Sequence, residues 1–128
     1  MKRKAIPELP IEVRALLPLT PAVFYTLFSL ADGERHGYAI MRSVERLSDG
    51  GVKMGPGTLY TTIQRLLNLR LIEETTQEKR PEELERRRRY YRLTGLGGRL
   101  LREEIRRLES VLHRARLRHL APRREGAQ

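Results

Sequence analysis

Residues Pro56 to Arg70, reading PGTLYTTIQRLLNLR, limit what this chain can fold into more than any other stretch. Leu59, Ile63, Leu66 and Leu67 recur at i, i+4, i+7 and i+8, the apolar stripe of an amphipathic helix. The opposite face carries Thr61, Gln64, Arg65 and Asn68, flanked by Thr58 and Tyr60, and the run contains no acid. A solvated helix face usually mixes Glu with Lys. Hydroxyls, an amide and a guanidinium are instead the groups that touch phosphates and base edges in a DNA major groove. The plainer reading is a core helix with a polar outer face, and the flanking segments decide between the two.

Upstream, Thr20-Pro21 is a helix start, with Thr as N-cap and Pro at the first helical position, where its missing donor is harmless. Phe24, Leu27, Phe28 and Ala31 would form the buried face of that helix, with Val23 and Leu30 beside it, and Asp32-Gly33 stops it. After Glu34 to Tyr38, a second helix runs from Ala39 to Leu47 on Ile40, Met41, Val44 and Leu47, and Ser48 to Gly51 ends it. Val52 to Met54 then leads into the Pro56 helix, so the last two helices stand in helix-turn-helix order. Downstream the period changes: Leu71 to Thr76 and Arg89 to Thr94 read as strands, rich in β-branched and aromatic residues. The predicted fold is mainly α with a small β-hairpin, a winged helix-turn-helix. The connecting loop carries Lys79, Arg80 and the run Arg86, Arg87, Arg88 and Arg89, with Glu78, Glu82, Glu83 and Glu85 between them. Charged loops also protect sheet edges from aggregation, but consecutive arginines exceed that need, and phosphate relieves their mutual repulsion most directly.

A long helix follows Leu96, its body running from Arg99 to about Leu120. Leu101, Ile105, Leu108, Leu112 and Ala115 are spaced in the heptad rhythm of a coiled-coil seam, and Leu100, Val111 and Leu117 widen the stripe. The helix is longer than a small core covers, so its seam is expected to meet a second copy; folding back on its own domain is the alternative. The organisation expected is an N-terminal arm over 1–19, a DNA-binding domain over 20–95, a dimerisation helix over 96–120 and a disordered tail over 121–128. Ile11 to Leu17 within the arm is long enough for about two helical turns, with no predicted packing.

Charge points the same way: 26 Lys and Arg against 16 Asp and Glu give a net +10, a field that concentrates polyanions. No cysteine is present, and His36, His113 and His119 have no metal-ligand spacing, so neither a metal centre nor a cofactor is expected. Gly55-Pro56-Gly57 lacks the Gly-Lys continuation of a nucleotide-binding loop, and an enzyme is not expected. The basic Met1-Lys-Arg-Lys start is interrupted by Pro7 and Pro10 before any signal-length apolar core, and no run approaches a bilayer span. A cytoplasmic protein with no membrane association is the expectation, although an Arg-rich helix at a membrane surface is a lesser alternative.

LFSLADGERHGYAI (residues 27–40), Pro56-Gly57-Thr58-Leu59-Tyr60, Arg65-Leu66, Leu71-Ile72, and Arg89-Tyr90-Tyr91-Arg92-Leu93-Thr94 with Gly97 stand in one order over roughly residues 20 to 98. Together these motifs resemble the PadR family of bacterial transcriptional regulators. The resemblance implies a dimeric winged-helix repressor, joined through its C-terminal helices and released from DNA by a small aromatic or drug-like effector. A single C-terminal helix resembles the short branch of the family. Two further departures are Arg70, where the family usually has Gly, and the absence of the Trp on which drug sensors of that branch stack their ligand.

The DNA-contacting residues expected are His36, Tyr38, Lys53, Thr58, Tyr60, Thr61, Gln64, Arg65 and Arg86 to Arg89. Tyr60 lies toward the apolar flank of its helix and is expected to pack inward with its hydroxyl reaching a phosphate. The partner expected is a pseudo-palindromic double-stranded operator bound by a homodimer. A winged-helix module that binds protein instead is the competing class, and it calls for an apolar recognition surface.

Overall fold

The structure is a computed structural model and describes residues 8–75 and 89–123. Its elements are α1 (Ile11–Arg14), α2 (Pro21–Ser29), β1 (Arg35–His36), α3 (Gly37–Leu47), α4 (Pro56–Asn68), β2 (Ile72–Thr75), β3 (Tyr90–Leu93) and α5 (Gly95–Leu117).

Thr20 caps α2, its hydroxyl accepting from the Val23 amide at 3.3 Å. The buried face differs from the expected one. Val23, Thr26, Leu27 and Leu30 turn inward, whereas Phe28 and Ala31 are exposed. An apolar helix has no unique face by periodicity; docking against both α3 and α5 selects the narrower Thr26–Ser29 edge, which lets the helices approach closely. Ser29 meets its own polar requirement by donating to the Thr26 carbonyl at 2.7 Å.

Helix α4 buries Leu59, Thr62, Ile63 and Leu66, and ends with Leu69 as C-cap and Arg70 in the left-handed region at φ 60°. The Leu71 amide donates to the Leu66 carbonyl at 2.9 Å and the Arg70 amide to Leu67 at 3.0 Å, the paired bonds of a Schellman ending. This closure works without glycine and delivers the chain into β2.

The sheet has three strands, in the order β1-β3-β2, all antiparallel. The connector before α3 thus joins the two-stranded wing expected from sequence, with Arg35 opposite Tyr91 and His36 opposite Tyr90. Arg35 is held structurally, its Nε donating to the Ser29 carbonyl at 2.7 Å.

The N-terminal arm packs. Leu9, Val13 and Leu19 join the core, Val13 at 1% exposure, and the Leu19 amide donates to buried Glu104 of α5 at 2.8 Å. A run as short as α1 has too little periodic signal to reveal its packing partner.

Helix α5 starts four residues earlier than the body expected from sequence, with Thr94 as N-cap accepting from the Gly97 amide at 3.0 Å. Gly97 has a packing role in this first turn. A Cβ there would collide with the Leu71 backbone carbonyl, so glycine is what lets α5 lie against the end of α4.

Candidate nucleic-acid interface

Gly55 precedes α4 as N-cap and Pro56 follows as its first residue, so no side-chain hydrogen bond closes this helix end and no acid lies in its first turn. The end of a helix left in that state presents amide donors and a positive dipole to solvent. Beyond it Thr58, Thr61, Arg65 and Asn68 are exposed and Gln64 is half-buried, so the acid-free face expected from the sequence does point outward.

Tyr60 is also outside, at 65% exposure, and does not pack inward as its flank position suggested. Leu59 and Ile63 already fill the space against α3 and the sheet, and the ring is left over the rim. There it meets the wing. Gly37, Pro56, Tyr60, Arg89 and Tyr91 line a cleft of about 210 Å³ between the starts of α3 and α4 and strand β3. Arg89 at the root of the wing therefore stands beside the outer side of the recognition-type helix. Its Nε lies 3.7 Å from the Glu74 carboxylate, an exposed pair of little strength. Burial pushes the neighbouring Tyr91 hydroxyl above the ordinary phenol range, Glu74 adding to the effect and Arg89 opposing it.

His36 serves as N-cap of α3: its Nδ1 accepts from the Ala39 amide at 3.2 Å, and its ring stands edge-on to Tyr90 at 5.4 Å. The following Tyr38 is exposed, and the Arg42 guanidinium lies over its ring, 4.9 Å from the centroid. Arg42 was not singled out by the sequence, although its i+4 spacing from an exposed aromatic was a usable signal. Lys53 is exposed on the segment entering α4. Arg86, Arg87 and Arg88 lie outside the described residues.

The second open side of α4 faces the N-terminal arm. Glu12, Leu16, Thr61, Gln64, Arg65 and Asn68 line a cleft of about 490 Å³ there.

The seam of α5 divides in two. Leu101, placed by its heptad position in the dimer contact, is instead 5% exposed within the domain's own core, because the first turns of α5 pack against α2 and β3. Ile105, Leu108 and Leu112 are 43%, 41% and 38% exposed, with Val111 and Leu117 beside them and Ala115 half-buried. Among the described residues no His, Cys, Asp and Glu group could hold a metal ion, and no helix is long and apolar enough to cross a membrane.

Two helices in helix-turn-helix order, a small antiparallel sheet and a long C-terminal helix define a winged helix-turn-helix protein. A family model described as the PadR-like family of transcriptional regulators matches residues 26–103, more than half of the chain. The chain belongs to the PadR-like family, whose members are transcriptional regulators rather than enzymes and generally bind DNA.

Among solved structures it is similar to RosR of H. salinarum, with 26% identity and a TM-score of 0.60 over 74% of this chain and 78% of that one. A PadR family transcription regulator of Clostridium difficile R20291 has 18% identity and a TM-score of 0.61, covering 77% of this chain and 97% of that chain. A transcriptional regulator from Clostridium thermocellum has 21% identity and a TM-score of 0.58, covering 90% and 100%. The two clostridial likenesses are likenesses of fold. An uncharacterized 37.1 kDa protein in transposon TN4556 of Streptomyces fradiae is 41% identical over 83 residues, 65% of this chain. The match spans only 21% of that protein's length.

Proposed function

We propose that the protein is a sequence-specific double-stranded DNA-binding regulator that acts as a dimeric repressor and leaves its operator when a small effector binds. One observation carries the reading: the outward face of α4 holds no acid and is flanked by Arg89, the residue just before β3. On this reading α4 enters the major groove. Thr58 and Thr61 contact backbone or base edges, Gln64 pairs with adenine, and Arg65 pairs with guanine. Tyr60, Tyr38, Lys53 and Arg42 hold phosphates, and Arg86 to Arg89 follow the backbone or the adjacent minor groove. His36 caps the start of α3 through Nδ1 and stands at the helix end where a phosphate contact is proposed.

Dimerisation is assigned to Ile105, Leu108, Leu112 and Ala115, with Val111 and Leu117 at the margin, because an apolar stripe of this length in water favours a partner. Repression and release by a small aromatic effector are read from the family resemblance.

Selection of bound duplexes from a random pool, followed by retardation across a salt series, tests the reading. We expect a pseudo-palindromic site and an affinity loss of about 10³- to 10⁵-fold between about 50 and 200 mM salt. A shallow salt slope, or recovery of no preferred sequence, rejects it. Repeating the assay with a panel of aromatic compounds tests release.

A further inference from the structure

Resting on that DNA-binding reading, we infer that Glu12 of the N-terminal arm is a specificity-determining residue that reads a cytosine amino group at the edge of each half-site. The sequence ties Glu12 to no function, and α1 is remote from α4 along the chain. In the structure Glu12 nevertheless lines the same cleft as Thr61, Gln64, Arg65 and Asn68, and it is the acid brought to a reading face that has none of its own.

Its position is built rather than incidental. The Pro10 carbonyl accepts from the Val13 and Arg14 amides at 3.0 and 2.8 Å, which closes the turn that carries Glu12. Buried Leu9 and Val13 pin that turn on either side, and the hydrogen bond from Leu19 to Glu104 pins the segment that follows. Glu12 itself stays exposed.

An ionised carboxylate only accepts hydrogen bonds, and phosphates repel it. Against DNA it gains only where a donor faces it. In the major groove guanine offers acceptors, thymine an acceptor and a methyl group, and adenine a donor next to an acceptor; cytosine N4 is the donor an acid pairs with best. Arg65 and Gln64 in the same cleft are suited to guanine and adenine, so Glu12 would extend the reading to a base neither of them accepts.

The test uses a duplex selected by the unmodified protein and a set of duplexes in which each base pair is changed in turn, titrated by fluorescence anisotropy. We expect the unmodified protein to prefer cytosine at one position per half-site by about five- to tenfold. Glu12→Ala should lose that preference, retain the others, and bind scrambled duplex slightly more tightly. Because Glu12 is exposed and Ala favours helix, the variant keeps the fold, which an unchanged thermal melt verifies. If Glu12→Ala retains the base profile of the unmodified protein at every position, or shifts all sequences equally, the inference is overturned. If the unmodified protein retards no duplex at low salt, the DNA-binding reading itself falls, and the inference with it.

Discussion

The amide of Leu19 donates to the carboxylate of Glu104 at 2.8 Å, joining residues 85 positions apart. Glu104 is 2% exposed, and its charge is answered by Arg107, whose Nε and second guanidinium nitrogen lie 2.5 and 3.3 Å away. This contact fixes the N-terminal arm, and with it Glu12, to the helix that carries the exposed apolar seam. Burial alone would push the Glu104 carboxyl above the ordinary carboxylate range. The Arg107 hydrogen bond, the Leu19 amide and the Arg107 charge together outweigh burial and hold it below the ordinary carboxylate range.

Replacing Glu104 should therefore destabilise the fold. Glu104→Ala leaves the Leu19 amide without its acceptor and is expected to cost about 2–3 kcal/mol in urea unfolding; Glu104→Gln, which keeps an oxygen, should cost about 1 kcal/mol. Since the folded-state value is depressed, the ionic contribution is complete above the unfolded carboxylate range and is lost as pH falls through the folded value. Between neutral pH and about pH 3, stability should decline less steeply in Glu104→Gln than in the parent. Parallel declines would refute this role.

Adjacent glycines of α5 should respond in opposite directions. Gly97→Ala forces a methyl group into the Leu71 carbonyl and is expected to destabilise by about 1–3 kcal/mol despite the better helix propensity. At Gly98 an added methyl meets only the end of the Arg102 side chain at 3.5 Å, so Gly98→Ala should gain about 0.5–1 kcal/mol. Thermal melts of both variants decide it.

Arg70 occupies a left-handed position at the end of α4 that glycine adopts more easily. Relief of that cost, about 1 kcal/mol, is offset in part by the freer unfolded chain, so Arg70→Gly should stabilise by about 0.5 kcal/mol. Arg70→Val should destabilise by more than that, since a β-branched residue tolerates positive φ poorly. A lower urea midpoint for the glycine variant would contradict the assignment.

The exposed seam predicts a dissociable dimer. Leu108→Glu, with Leu108 41% exposed in the isolated chain, should yield a folded monomer by sedimentation while leaving circular dichroism nearly unchanged. Leu101→Ala should behave differently: that side chain is inside the core, so about 2–4 kcal/mol of stability is lost. A Leu108→Glu protein that sediments like the parent would remove the seam from the interface.

Contacts to bases and to phosphates should separate by their salt dependence. Gln64→Ala is expected to cost about 1–3 kcal/mol at particular base pairs with the salt slope unchanged. Arg42→Ala should weaken all duplexes alike and reduce the slope by about one phosphate equivalent. Equal sequence dependence in both would undo the division of roles.

The local elements were legible because each carries its signal within a few residues. Thr20-Pro21 marks the start of α2, the apolar repeat of Leu59, Ile63 and Leu66 marks α4, and Tyr90 to Leu93 has the aromatic-rich composition of a strand. The outward polar face of α4 followed from the same period, since burying Leu59, Ile63 and Leu66 forces Thr61 and Arg65 outside. The remainder depended on which segments meet. Periodicity says which side of a helix is apolar, not what covers it or how far along. Leu101 and Ile105 look alike in the heptad, yet the small core ends between them, so one is covered and the other is bare. Tyr60 stayed outside because Leu59 and Ile63 had already filled the space, and Gly97 acquired its role only when α5 came against Leu71. Spacing along the chain determined the elements and their polar faces; the docking of the arm, the wing and α5 on one small core decided which chemical groups stand together, because those contacts join residues too distant in sequence to leave a local pattern.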